Sequence, residues 1–91
     1  MQGKISVENM IGSSGREVAN QFRIFADDGV YFQSYSSVIA FKPHKGNIQL
    51  DEDKWDYFKT TGKYRNIFLR ETKKETERKI AEGIYELVDL N

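Results

Sequence analysis

The sequence predicts a single α+β domain over residues 1–91, an antiparallel β-meander with two or three short helices and a C-terminal strand. Asp27-Asp28-Gly29 separates two aromatic and β-branched runs, and His44-Lys45-Gly46-Asn47, after Pro43, separates the second run from Ile48-Gln49-Leu50. From residue 51 onward the apolar spacing turns helical and capping residues punctuate it. Six Phe, five Tyr and one Trp supply the bulk of a core, since each aromatic ring buries about 150–250 Å².

Taken in chain order, Ile5 and Val7 alternate and predict a peripheral strand, and Gly12-Ser13-Ser14-Gly15 predicts a flexible loop. In the hairpin a two-residue loop at Asp28-Gly29 pairs Ile24 with Gln33 and mixes apolar with polar positions. A three-residue loop with Gly29 left-handed pairs Ala26 with Val30 and Ile24 with Phe32, and is the expected register. It places Phe22, Ile24, Ala26, Val30 and Phe32 on a core wall, with Arg23, Phe25, Tyr31, Gln33 and Tyr35 on the opposite face. The polar run of residues 33–37 predicts a bend or bulge inside one long strand.

Asp51 is the expected N-cap of a brief helix carrying Trp55 and Phe58, interrupted at Thr60-Thr61-Gly62. A second short helix is expected from near Gly62, with Tyr64, Ile67 and Phe68 on one side. Thr72 and Glu75 form the capping box of a third, which Gly83 terminates. Only Ile80 and Ala81 anchor that helix, so it should lie mostly in water. Residues 84–90 predict the closing strand.

Composition removes several functions. Fourteen basic residues balance fourteen acidic ones, which argues against a generic duplex-DNA binder. The chain has no cysteine, so disulfide scaffolds, thiol catalysis and cysteine-ligated metal sites are excluded. The single His44 lies in a turn without a triad partner. Asp51, Asp53 and Asp56 could in principle pair for metal binding or glycoside chemistry, but acids at a helix start serve capping and the macrodipole. No apolar run approaches the roughly 20 residues that span a bilayer. The expectation is a soluble intracellular protein that is not an enzyme and uses no cofactor or metal.

Two surfaces are candidates for binding. Residues 57–70 contain no acid and carry Lys59, Lys63, Arg65 and Arg70. Within them Thr60, Thr61, Lys63, Tyr64 and Arg65 combine hydroxyls, cations and a ring next to an expected helix N-terminus, a combination suited to a nucleotide phosphate and base. The same residues are also legible as a helix cap at Thr61, a tight turn at Gly62 and an inward-packed Tyr64. The second surface is Arg23, Phe25, Tyr31, Gln33 and Tyr35, where rings interleaved with a base suit a protein hot spot or a stacking platform for single-stranded nucleic acid. The alternative is that helices cover this face and its rings are core.

Asn20-Gln21-Phe22, residues 32–40 (Phe-Gln-Ser-Tyr-Ser-Ser-Val-Ile-Ala), Trp55-Asp56-Tyr57, Thr60-Thr61-Gly62-Lys63-Tyr64 and Phe68-Leu69 together resemble a family of short, functionally unassigned tailed-bacteriophage proteins. The resemblance covers about residues 20–91. Phe58 departs from it, standing where a small serine usually follows Trp-Asp-Tyr. It transfers no catalytic residue. It implies expression in the cytoplasm of an infected bacterium and, with the small size, a stoichiometric binder. The expected function is therefore a non-enzymatic accessory protein that binds and inhibits a host protein or defence complex, for example as an anti-CRISPR. The alternatives are a nucleotide-sequestering protein using residues 60–66 and a single-strand nucleic-acid binder. A membrane is not an expected partner, and homo-oligomers are open.

Overall fold

In the computed structural model, which describes residues 5–91, the elements follow as β1 (Ser6–Ile11), β2 (Glu17–Ala26), β3 (Gly29–Ser34), β4 (Ser37–Pro43), β5 (Gln49–Asp51), α1 (Lys59–Leu69), α2 (Lys73–Ala81) and β6 (Glu86–Val88). The strands form one six-stranded sheet in chain order. Pairing is antiparallel from β1 to β5, and β6 returns parallel to β5. Parallel pairing follows from the connection: two helices stand between β5 and β6, long enough for a crossover where a hairpin is impossible. The architecture is the expected α+β domain, richer in strands, with the C-terminal strand present. The predicted peripheral strand is the edge strand β1, and residues 1–4 of the segment expected to form it lie outside the described residues.

The β2–β3 register differs from the expected one. Ala26 faces Gly29, Ile24 faces Tyr31 and Arg23 faces Phe32, so the loop holds only Asp27 and Asp28. Gly29 is therefore a strand residue. A Cβ there would lie 2.2 Å from the Lys42 carbonyl oxygen and 2.8 Å from the Phe41 ring, with φ at +150°. Close strand approach demands this glycine; the turn does not. Nor do residues 30–41 form one bent strand: Tyr35, at φ +56°, reverses the chain between β3 and β4. The bulge falls inside the β3–β4 pair, next to Phe32.

With this register Gln21, Arg23, Phe25, Val30, Phe32 and Ser34 share the face that α1 covers. Phe32 stacks on Phe68 at 5.6 Å, and the core continues through Met10, Ile39, Ala40, Leu50, Tyr64, Leu69 and Tyr85. Phe22, Ile24, Tyr31 and Gln33 point to the other side, where Tyr31 stacks on Phe41 at 4.2 Å. The expected core wall is thus divided between two faces.

The brief helix expected from Asp51 is absent. Asp51 is buried at the end of β5 and its carboxylate accepts from the N–H groups of Asp53, Lys54 and Leu90. The acid does cap, but it caps a turn and ties β6 to it. The next helix starts earlier than expected, at Lys59, which places Thr60, Thr61 and Gly62 in its first turns. Helix α2 meets its expectation: Thr72 and Glu75 form the capping box, and Gly83, at φ +75°, closes a Schellman motif in which Ile84 N–H donates to the Lys79 carbonyl at 2.9 Å.

Glu71, in the link between the two helices, ties α2 to the segment that leads into β6. Its buried carboxylate accepts from Thr76 Oγ1 at 2.6 Å, Lys79 Nζ at 2.7 Å and the Tyr85 hydroxyl at 2.8 Å. Burial alone would raise this carboxyl, but those three donors outweigh it and hold it below its ordinary value. Stability from a lowered carboxyl is complete above the unfolded value, near about 4.3, and is lost as pH falls through the lower folded value. The urea midpoint should therefore drop on acidification below about pH 4.3. Glu71→Gln should lower stability by about 1–3 kcal/mol at neutral pH and leave a shallower acid dependence.

Candidate functional site

The observed register separates the five residues predicted to share an outer face. Tyr31 and Gln33 lie on the face away from α1, Tyr31 donating to Asp28 Oδ2 at 2.8 Å and Gln33 Nε2 to the Tyr35 carbonyl at 2.7 Å. Tyr35 occupies the β3–β4 turn and is exposed. Arg23 and Phe25 lie on the helix side, past the C-terminal end of α1, where the sheet emerges from under the helix.

There a basin of about 420 Å³ opens, into which Arg23 of β2, Lys42 of β4 and Arg70 project. Strand pairing sets the first two: Arg23 faces Phe32 and Lys42 faces Val30, on adjacent ladders of one face. Arg70 arrives at the C-cap of α1 in the left-handed conformation, φ +57° and ψ +47°, a position that usually selects glycine. Phe25, Val30 and Phe68 supply the apolar part of the wall. Lys42 Nζ donates to the Phe68 carbonyl and lies 4.4 Å from the centre of the Phe68 ring.

Glu8 is the acid lining the basin, 3.9 Å from Arg23. Burial, followed by the charges of Arg70 and Arg23, pushes the Lys42 ammonium below its ordinary value. Lys42 and Arg70 stand at the C-terminal end of α1, where the last carbonyls of the helix favour positive charge.

The five residues of the predicted phosphate segment are also divided. Thr61 is buried and shares a 2.8 Å hydrogen bond with Ser34, and Tyr64 packs in the core. Arg65 is 1% exposed: NH1 donates to the Trp55 carbonyl at 2.8 Å and to Asp56 at 3.3 Å, and NH2 donates to Asn66 at 3.0 Å. Its guanidinium also lies 5.2 Å from the Trp55 ring. Thr60 and Lys63 remain exposed. Tyr64 cannot stack on a ligand, because the sheet already holds it.

Asp56 is paired with Lys73 at 2.7 Å as well as with Arg65. Burial would raise its carboxyl, but these two cations lower it below its ordinary value. The absent helix at 51–58 removes the shared face that a paired-carboxylate site at Asp53 and Asp56 requires. Among the described residues no cluster of His, Cys, Asp or Glu side chains is placed to hold a metal ion, and no helix is long and apolar enough to cross a membrane.

Of the basin's three cations, Lys42 and Arg70 are the two that the sequence did not place beside Arg23. Arg70 belonged to the acid-free cationic run, so its charge was visible and its location was not. Lys42 carried no local signal, since only the β3–β4 register brings it beside Arg23.

Comparisons with curated proteins and with solved structures give no match. A family model described as a family of unknown function, DUF8033, matches residues 5–83.

Proposed function

Because this chain belongs to that family of unknown function, its own surface has to carry the reading, and we propose a non-enzymatic domain that docks an acidic segment of a partner protein into the Arg23–Lys42–Arg70 basin. The observation that carries it is the convergence of three cations, faced by one acid, on a concave surface floored by Phe25, Val30 and Phe68. Arginine forks bind carboxylates bidentately, and an exposed ring beside them gives a partner an apolar anchor. The likeness of residues 20–91 to short tailed-phage proteins supports a bacterial host protein or defence complex as the partner, with inhibition as the outcome, in the infected cell's cytoplasm.

Arg70 separates folding from binding. Arg70→Gly relieves the left-handed backbone and should raise stability by about 0.5–1 kcal/mol, read from urea unfolding. The same change should weaken binding of a glutamate-rich peptide at least about tenfold, read by calorimetry, with steep weakening of the wild type as salt rises. Equal peptide affinity in wild type, Arg70→Gly and Arg23→Ala would remove the basin as the docking surface.

A further inference from the structure

A second cationic groove, of about 350 Å³, lies at the opposite end of α1. Lys59 and Lys63 stand one helical turn apart on its wall, and Lys73 reaches it from the start of α2. Its acid, Asp56, is already shared between Lys73 and Arg65. Phe58, the N-cap of α1, provides no side-chain acceptor, and the first turn carries no acid, so the leading amide N–H groups face this end without a capping carboxylate.

The wall also holds a buried cation and an exposed pair of rings. Arg65 forms part of the wall while almost fully buried, its terminal nitrogens already committed to Trp55, Asp56 and Asn66, so it contributes charge. Gly62 lines the groove directly over that guanidinium, where a Cβ would sit 3.7 Å from both terminal nitrogens. Next to the cations, Tyr57 and Phe58 are each more than half exposed, with ring centres 4.1 Å apart. Exposed paired rings beside an anion site suit a ligand that is flat at one end and multiply charged at the other.

We propose that this groove binds a nucleotide, with its phosphates among Lys59, Lys63, Lys73 and the first turn of α1 and its base on the Tyr57–Phe58 pair. The site differs from the segment expected from sequence. Lys63 stays and Arg65 remains as a buried part of the wall; Thr60, Thr61 and Tyr64 give way to Lys59, Lys73, Tyr57 and Phe58, which the fold brings to one side. It is also separate from the basin at the other end of α1 and does not depend on the docking reading.

The test is calorimetric titration of the whole protein with ATP, with emission of the single Trp55, which contacts Arg65, as a second readout. Inorganic triphosphate, adenosine and a single-stranded oligonucleotide are the comparison ligands. ATP should bind more tightly than either triphosphate or adenosine. Lys59→Ala with Lys63→Ala should weaken it at least about tenfold without lowering Tm, since both side chains are exposed. Tyr57→Ser should erase the preference for ATP over triphosphate, and Arg70→Gly should change nothing. Absence of heat at millimolar ATP, an affinity unaffected by the lysine changes, or oligonucleotide binding without ATP binding would each overturn the proposal.

Discussion

Gly29→Ala is expected to cost at least about 3 kcal/mol, and to do so without removing a single contact. The added Cβ falls 2.2 Å from the Lys42 carbonyl oxygen and 2.8 Å from both Phe41 and the Pro43 Cα. Two of those neighbours are β4 backbone and cannot swing aside as a side chain would. The φ of +150° adds conformational strain that an L-residue meets and glycine does not. β4 must therefore separate from the start of β3, which weakens the ladder that sets Lys42 next to Arg23. A lowered urea midpoint with loss of peptide binding in the surviving folded fraction is the expected result. Wild-type stability in this variant would show that the Ala26–Gly29–Pro43 register is wrong.

Arg65→Ala should be comparably damaging, about 3 kcal/mol against a total of about 5–10 for a domain of this size. The truncation empties a fully buried site, strips the Trp55 carbonyl of its donor and leaves Asp56 with Lys73 alone. Lysine should recover little, because one ammonium cannot serve Trp55, Asp56 and Asn66 together. Arg65→Met keeps most of the volume and should recover part of the loss. The ordering wild type above methionine above alanine, measured by urea unfolding, is the signature of a guanidinium that both fills space and satisfies its neighbours. An alanine variant as stable as the wild type would rule that role out.

What the sequence disclosed, and what it withheld, follows the range of the interactions. The capping box at Thr72 and Glu75 and the terminator at Gly83 are built from neighbours in the chain, so their signals were complete in themselves. The hairpin at Asp27–Asp28 was visible as a turn, but its register was not. Gly29 reads as a loop glycine, while the reason for it is the approach of Phe41 and Lys42 from another strand. That shift of one position moved Arg23 and Phe25 to the side opposite Tyr31 and Gln33. Asp51 showed the same limit: a capping acid was legible, and the Leu90 amide that turns it into a tie between strands was not. The cationic character of residues 59–70 was plain from composition. Helical geometry and the Trp55 carbonyl then divided it, sending Lys59 and Lys63 to one end, Arg70 to the other and Arg65 inside.

The parallel pairing of β6 with β5 favours one order of assembly over others. Strands β1 to β5 can zip up as successive local reversals, each closing a short loop. The last strand has to wait for both helices to be laid down, and its tie to Asp51 joins groups 39 positions apart. Asn91 reaches further still, donating to and accepting from the backbone of Val38, 53 positions earlier. Such distant closures carry the largest loop entropy and come late. On a ribosome, the antiparallel strands would wait with one margin of β5 unpaired until β6 is made and covers it.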